Sequence, residues 1–443
     1  MGNNKGKIAE NEEDELSHDE RQHVHKLFKS IFHTQEDERH KENLTKHWGD
    51  QMDKRLLALF EGYVLEDNSG EAVAYDKFKS LYINLAVHPS DEKATFVIQL
   101  LKSSKQKSPT YDDIVEYVES VISSYVTVLT VRNNIVLKSW KMLGMESTDE
   151  RQKLMAEALC RDLKEKGSIE DNFGEWFGFC SQFHKMQVSC LQYLYNIPQK
   201  QVAYAKDMAD HCLFPKCFGV HQRHTKNFPS IMKLSDVLFL NSFLPAALQM
   251  EWRFCFSTEL HGLSFSKMLG LIINQGPCII ILRDKSNHVF GGFASDNFIL
   301  SPEFHGDSSS FLFQLCPEMR ICESTGYNNH YQYLNVQQQT MPNGLAMGGQ
   351  FDYCGIWIDA EFGKGHCSES CTTFKNYTML SGTKHFDIEQ LEVWAVGPEP
   401  EKEELEDAPR TIREREVEAK AVLELAGRKM YSEDLEDEEK LSL

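Results

Sequence analysis

Apolar positions recur every three or four residues through the first half of the chain and every second residue through much of the second half. Val24, Leu27, Phe28, Ile31 and Phe32 share one face of a 3.6-residue period, with Ser17 and Glu20 at capping-box spacing ahead of them. The pattern returns at Met52, Leu56, Leu59, Phe60 and Tyr63, at Phe78, Leu81, Tyr82 and Leu85, and at Ile114, Tyr117, Val118, Val121 and Tyr125. Ser147 and Glu150 predict another capped helix, and Gly167 a stop. The spacing predicts a helical region over 17–130 and a helical continuation or connector over 131–228.

After Pro229 the period becomes two. In WRFCFS (252–257), Trp252, Phe254 and Phe256 alternate with Arg253, Cys255 and Ser257, which predicts a strand with one buried face. Phe265, Met268, Leu269 and Ile272 predict a helix capped by Ser264 and stopped at Gly276-Pro277. CIIILRD (278–284) and HVFGGFAS (288–295), joined by KSN, read as a hairpin. FLFQLCPE, HYQYLNV, GIWIDAEF and FDIEQLEVWAVG supply more strands. Many short strands with one or two helices predict a β-sandwich over 229–397, so the fold class is α+β.

Three stretches invite a chemical reading. Residues 48–129 resemble two EF-hands, but with Gly70 at the sixth loop position only Asp67 and Asp76 fall where calcium ligands belong. The second loop, LKSSKQKSP (101–109), holds three lysines and no acid, so the pair is expected to be a degenerate helical platform that binds no calcium. Cys212, Cys217, His221 and His224 are zinc-type ligands, but only three residues part the two pairs, against about a dozen in a finger, which favours a connector. GLAMGGQFDYCGIWID (344–359) has neither the Lys-Ser/Thr of a P-loop nor a following helix, so its glycines are expected to serve positive φ and close backbone approach.

Composition narrows the function. The 443 residues, 41% apolar, suffice for two or three domains, and a net charge of −20 argues against wrapping a nucleic-acid backbone. No apolar run approaching the roughly 18 residues of a membrane span and no signal peptide are read, so an intracellular, non-transmembrane chain is expected. The 12 cysteines are expected to be free thiols without disulfides. Glu259 and His261, beside Ser257 and Ser264, could be drawn as a catalytic set, and Cys367 with Cys371 as a redox pair. No G-x-S-x-G elbow supports the first, and polar residues at strand ends more often satisfy backbone groups. The expectation is no enzyme, no cofactor and no metal; an enzyme or thiol protein, or a calcium-responsive module, is the alternative.

The ordered series STELHGLSF (257–265), NQGPCIIILRDKSNHVFGGFAS (274–295), FLFQLCPE, TGYNNHYQYLN (325–335), GLAMGGQFDYCGIWIDAEFGKGHC and LEVWAVG resembles the TLDc-domain family over residues 230–397. With Gly2, the EF-hand-like helical half and the acidic tail, the resemblance extends along the chain. It implies a two-sheet β-sandwich, a place on the cytoplasmic face of the lysosomal membrane or in the cytoplasm, association with V-ATPase, and partners in mTOR signalling.

The two ends complete this reading. Residues 1–16 form an anchor segment in which Gly2 is a candidate for N-myristoylation, although Gly6 stands where the motif has Ser or Thr. Residues 398–443 form an acidic tail with a candidate docking helix at 409–426, opened by Pro409 and closed by Gly427. Ile412, Ala419, Val422, Leu423 and Ala426 share one face of it and are the candidate partner-binding residues.

Overall fold

Ser17 Oγ accepts the Glu20 backbone N–H, and the Glu20 carboxylate returns to the Ser17 N–H at 3.0 Å, so the predicted capping box closes and α1 (His18–Phe32) begins where the spacing placed it. The computed structural model describes residues 15–32, 40–65, 71–165, 167–198, 212–220, 228–350 and 353–400. They divide into two units, one of residues 1–138 and 147–213, the other of residues 139–146 and 214 onward.

The first unit is helical: α2 (His40–Trp48), α3 (Lys54–Val64), α4 (Glu71–Tyr82), α5 (Ser90–Lys105), α6 (Tyr111–Val131), α7 (Ile135–Met142, whose last turn belongs to the second unit), α8 (Asp149–Leu159), α9 (Arg161–Glu165), α10 (Ile169–Phe179) and α11 (Ser181–Leu194). Its aromatic centre is tied by polar tips. Trp48 stacks on Phe78 at 5.5 Å while its Nε1 donates to Leu194 O, and Tyr195 donates to Phe78 O at 2.9 Å. Every apolar position predicted for α1 is buried. Contrary to the sequence expectation about apolar runs, α6 is long and apolar enough to cross a bilayer by length and composition. Here it is a core helix, with Ile114, Val118, Ile122, Tyr125 and Leu129 buried against α11, α8 and α3.

The EF-hand-like pairing is reduced further than its ligands suggested. Asp76 lies inside α4, five residues beyond its start at Glu71, which is roughly 7.5 Å along the axis and outside any loop. Asp67 lies outside the described residues. Most of the second stretch is helix rather than loop: α5 runs to Lys105, a left-handed Gln106 (φ 53°) ends it, and Thr110 caps α6. Lys105 pairs with Asp113 at 2.5 Å and Glu116 at 2.8 Å, so its charge is used to join two helices. One cap differs from expectation. Thr148, rather than Ser147, accepts the N–H at the start of α8, and Ser147 instead receives Gln152 Nε2 at 2.6 Å.

The second unit is a two-sheet sandwich built from β1 (Lys216–Phe218), β2 (Glu251–Ser257), β3 (Cys278–Asp284), β4 (Val289–Ala294), β5 (Phe311–Cys316), β6 (Arg320–Glu323), β7 (Tyr333–Asn335), β8 (Gly344–Met347), β9 (Ile356–Asp359), β10 (Lys364–His366) and β11 (His385–Val396). Helices α12 (Leu234–Phe243), α13 (Thr258–His261) and α14 (Phe265–Ile272) accompany them. One sheet runs β6-β5-β4-β3-β11-β2 with β1 beyond, and the other β11-β10-β9-β8-β7. The long β11 belongs to both: residues 385–387 pair with β10, and residues 392–396 with β2 on that same edge. Between the sheets Ile280, Leu282, Phe290 and Leu312 meet Leu345, Met347, Ile356 and Ile358 in one core. Each such side chain contributes about 1.5–3 kcal/mol on burial.

β2 is covered on both faces rather than one. Its pairing with β11 slips at Val393/Trp394, and this bulge lets Trp252 and Phe254 face outward while Phe256 enters the inter-sheet core. Outside, Trp252 packs on Trp140 at 5.8 Å and Phe254 on Trp394 at 5.3 Å. The 139–146 segment is thereby part of this unit, and Trp140 Nε1 donates to Pro215 O at 2.7 Å.

Candidate functional site

The drawn catalytic set is committed to architecture. Ser257 Oγ caps α13 by accepting the Glu259 N–H at 3.3 Å, and the Ser257 N–H donates to His261 Nδ1 at 3.2 Å. The His261 ring stacks on Phe256 at 5.3 Å, and Ser264 Oγ accepts Lys267 N–H to cap α14. Ser257 and His261 meet through the serine's backbone N–H, while the Ser257 hydroxyl is used to cap α13.

The two thiols are held protonated. Cys367 is fully buried, and burial pushes its thiol up to about 12; burial also raises Cys371. A thiolate is the reactive form, so neither is poised for exchange at neutral pH. Of the zinc candidates, Cys212 and Cys217 are half-buried, burial pushes Cys217 up to about 12, and His221 and His224 lie outside the described residues. Among the described residues no group of three or more His, Cys, Asp or Glu side chains could hold a metal ion.

The glycines of GLAMGG are architectural. GLAM is strand β8, and Gly348 and Gly349 turn away from it with φ of 73° and 80°. A Cβ on Gly349 would lie 2.0 Å from Tyr353 O, and one on Gly348 would lie 2.7 Å from the Phe374 ring. This turn joins two others at one end of the sandwich. Gly349 N donates to Thr373 Oγ1 at 2.8 Å, Thr373 Oγ1 donates to Asn328 Oδ1 at 2.8 Å, and Thr325 Oγ1 donates to Thr372 O at 2.7 Å. From this cross-braced frame Tyr327 and Tyr353 project, 81% and 66% exposed. Exposed aromatics on rigid loops are what protein interfaces use as anchors.

A buried carboxylate escaped the sequence reading. Glu392 is fully buried on β11 and accepts the Ile231 N–H at 2.6 Å, Ser230 Oγ at 3.1 Å, Trp394 Nε1 at 3.2 Å and Gln390 Nε2 at 3.2 Å. Burial raises its carboxyl to about 7 against the pull of these donors. It fastens the 230–231 backbone to the sheet. The signal was there in LEVWAV, a run with a single acid among apolar residues.

Gly2 and the tail residues Ile412, Ala419, Val422, Leu423 and Ala426 lie outside the described residues. The comparisons bear on the chain as a whole. Residues 225–397 match the TLDc domain model. The chain is 34% identical over 419 residues to the MTOR-associated protein MEAK7 of Gallus gallus, covering 87% of this chain and 84% of that one. It is 32% identical over 412 residues to the Homo sapiens protein of that name, covering 89% and 88%. With the Oxidation resistance protein 1 of Mus musculus it shares 32% identity over 206 residues, 45% of this chain and 22% of that protein.

Proposed function

Because the chain belongs to the TLDc-domain family, and along most of its length to the MTOR-associated MEAK7 proteins within it, we propose that it is a non-enzymatic adaptor in mTOR signalling that works on the lysosomal surface by binding V-ATPase. The observation that carries this reading is that similarity to proteins named for mTOR association spans the helical unit as well as the sandwich. The site chemistry supports it: the serines and imidazole that could be drawn as a triad cap helices and hold backbone, Cys367 is buried, and burial raises both the Cys367 and the half-buried Cys371 thiol. Gly2 acylation would supply the membrane contact, with a second attachment, because one acyl chain binds only marginally. The 409–426 segment and the tyrosine-bearing loop end would supply protein contacts.

Affinity capture of V-ATPase by the full chain, with and without calcium chelator and with and without thiol reductant, tests this. Capture in all four conditions is expected of an adaptor. Capture that needs calcium or vanishes with reductant would favour the calcium-responsive or thiol reading, and no capture at all would leave V-ATPase out.

A further inference from the structure

The outer face of the second sheet carries one continuous cross-strand row. Tyr333 is opposite Ala346, Ala346 opposite Trp357, Trp357 opposite His366, and His366 opposite His385. Directly opposite side chains on antiparallel strands lie side by side. Ala346 is small enough for the rings on either side to meet over it, so Tyr333 stacks with Trp357 at 6.3 Å and Trp357 with His366 at 6.0 Å. The row ends in two imidazoles whose centroids are 5.9 Å apart with planes inclined at 58°. Trp357 is buried, His366 half-buried and His385 exposed, so the packing loosens toward β11. Next to this row, Lys364 is opposite Asp387, and these with Asp359 and Pro342 help line an open cleft of about 740 Å³ that both imidazoles border.

We propose that His366 and His385 form a two-imidazole site for a transition-metal dication of the Zn²⁺ or Cu²⁺ class at the mouth of this cleft. An ion about 2.0–2.1 Å from a nitrogen on each ring sits roughly 3.2 Å from each centroid, which places the centroids roughly 5.2 Å apart at a tetrahedral angle. The observed 5.9 Å closes to that by a small swing of the exposed His385. Imidazole suits zinc and copper, whereas Mg²⁺ and Ca²⁺ require oxygen cages that this pair cannot provide. Among the described residues no third ligating side chain joins the pair, so water completes the coordination, for which the cleft has room. The bound ion is therefore exchangeable. Its structural effect is to pin β10 to β11 where β11 passes from one sheet to the other.

The test uses the untagged full chain, titrated with Cu²⁺ by tryptophan fluorescence and with Zn²⁺ by calorimetry. Trp357, stacked on His366, is the built-in reporter. Saturable quenching is expected in the parent, with affinity for both ions lowered at least about tenfold in His385→Gln, because one of two protein ligands is lost. His385 is exposed, so this variant should melt with the parent, which separates lost binding from lost fold. Trp357→Phe should abolish most of the quenching yet keep the Zn²⁺ heat. Unchanged affinity in His385→Gln, full quenching in Trp357→Phe, or equal binding of Mg²⁺ each overturns the proposal and places the ion on other side chains.

Discussion

Trp140 and Trp394 pack with ring centroids 5.3 Å apart, inclined at 42°, both fully buried. One comes from a helix that begins in the helical part of the sequence and the other from the strand common to both sheets. The sandwich therefore needs residues well upstream of the region that matches the family model. Trp140→Ala should destabilise it by about 3–5 kcal/mol, the cost of removing a large buried ring. Thermal melting checks this, and a fragment limited to residues 225–397 should melt lower than the full chain.

Gly348→Val and Gly349→Val should each lower stability by about 1–3 kcal/mol from left-handed backbone alone. Gly349→Val should be the worse, because its new Cβ meets a backbone oxygen at 2.0 Å, while the one at Gly348 meets side chains, the Phe374 ring at 2.7 Å and Cys371 Sγ at 2.9 Å. Denaturant titration of both variants decides the order.

Glu392 should make stability depend on pH in a direction unusual for a carboxylate. Its folded value is raised to about 7, so between the ordinary carboxylate range and pH 7 the folded state holds a proton that the unfolded state has released. Stability from this group is consequently full near pH 4.5 and is lost progressively as pH rises to about 7, by about 3 kcal/mol, with little left to lose above that. Unfolding curves from pH 5 to 8 for the parent and Glu392→Gln should differ in slope, the parent losing more between about pH 5 and 7 and the two running parallel above that.

If Gly2 is the anchor, Gly2→Ala should move the protein from lysosomal membranes to the soluble fraction with its melting curve unchanged. Fractionation at low and high salt reads this out, and the acyl contribution should resist salt.

Deleting residues 409–430, or changing Val422 and Leu423 to Asp, should weaken V-ATPase capture while the sandwich still melts as in the parent. Two carboxylates on a narrow apolar stripe oppose burial in a groove. Equal capture by the truncated chain would assign the contact to the folded units alone.

The helical half was legible because a helix that buries one stripe writes it in the sequence at fixed spacing, as α1 and α3 do. The hairpin of β3 and β4 was legible as two apolar runs, buried on both faces, joined by a short polar turn. The strands β1, β6 and β10, of three or four residues each, were too short for alternation to register. The two-sided cover of β2 depends on a bulge and on Trp140, and the His366–His385 pair on register between strands, so both are products of tertiary pairing. Ser257 and His261 were read correctly as neighbours, but which atoms face each other was settled by backbone direction.

The sharing of β11 has a mechanical consequence. Its hydrogen bonds to β2, β3 and β10 lie across the strand axis, so a pull along that axis from the chain beyond Val396 loads them together in shear instead of peeling them one at a time. A partner tugging on the tail would meet the resistance of both sheets at once, which makes this strand a suitable fixed point for transmitting force.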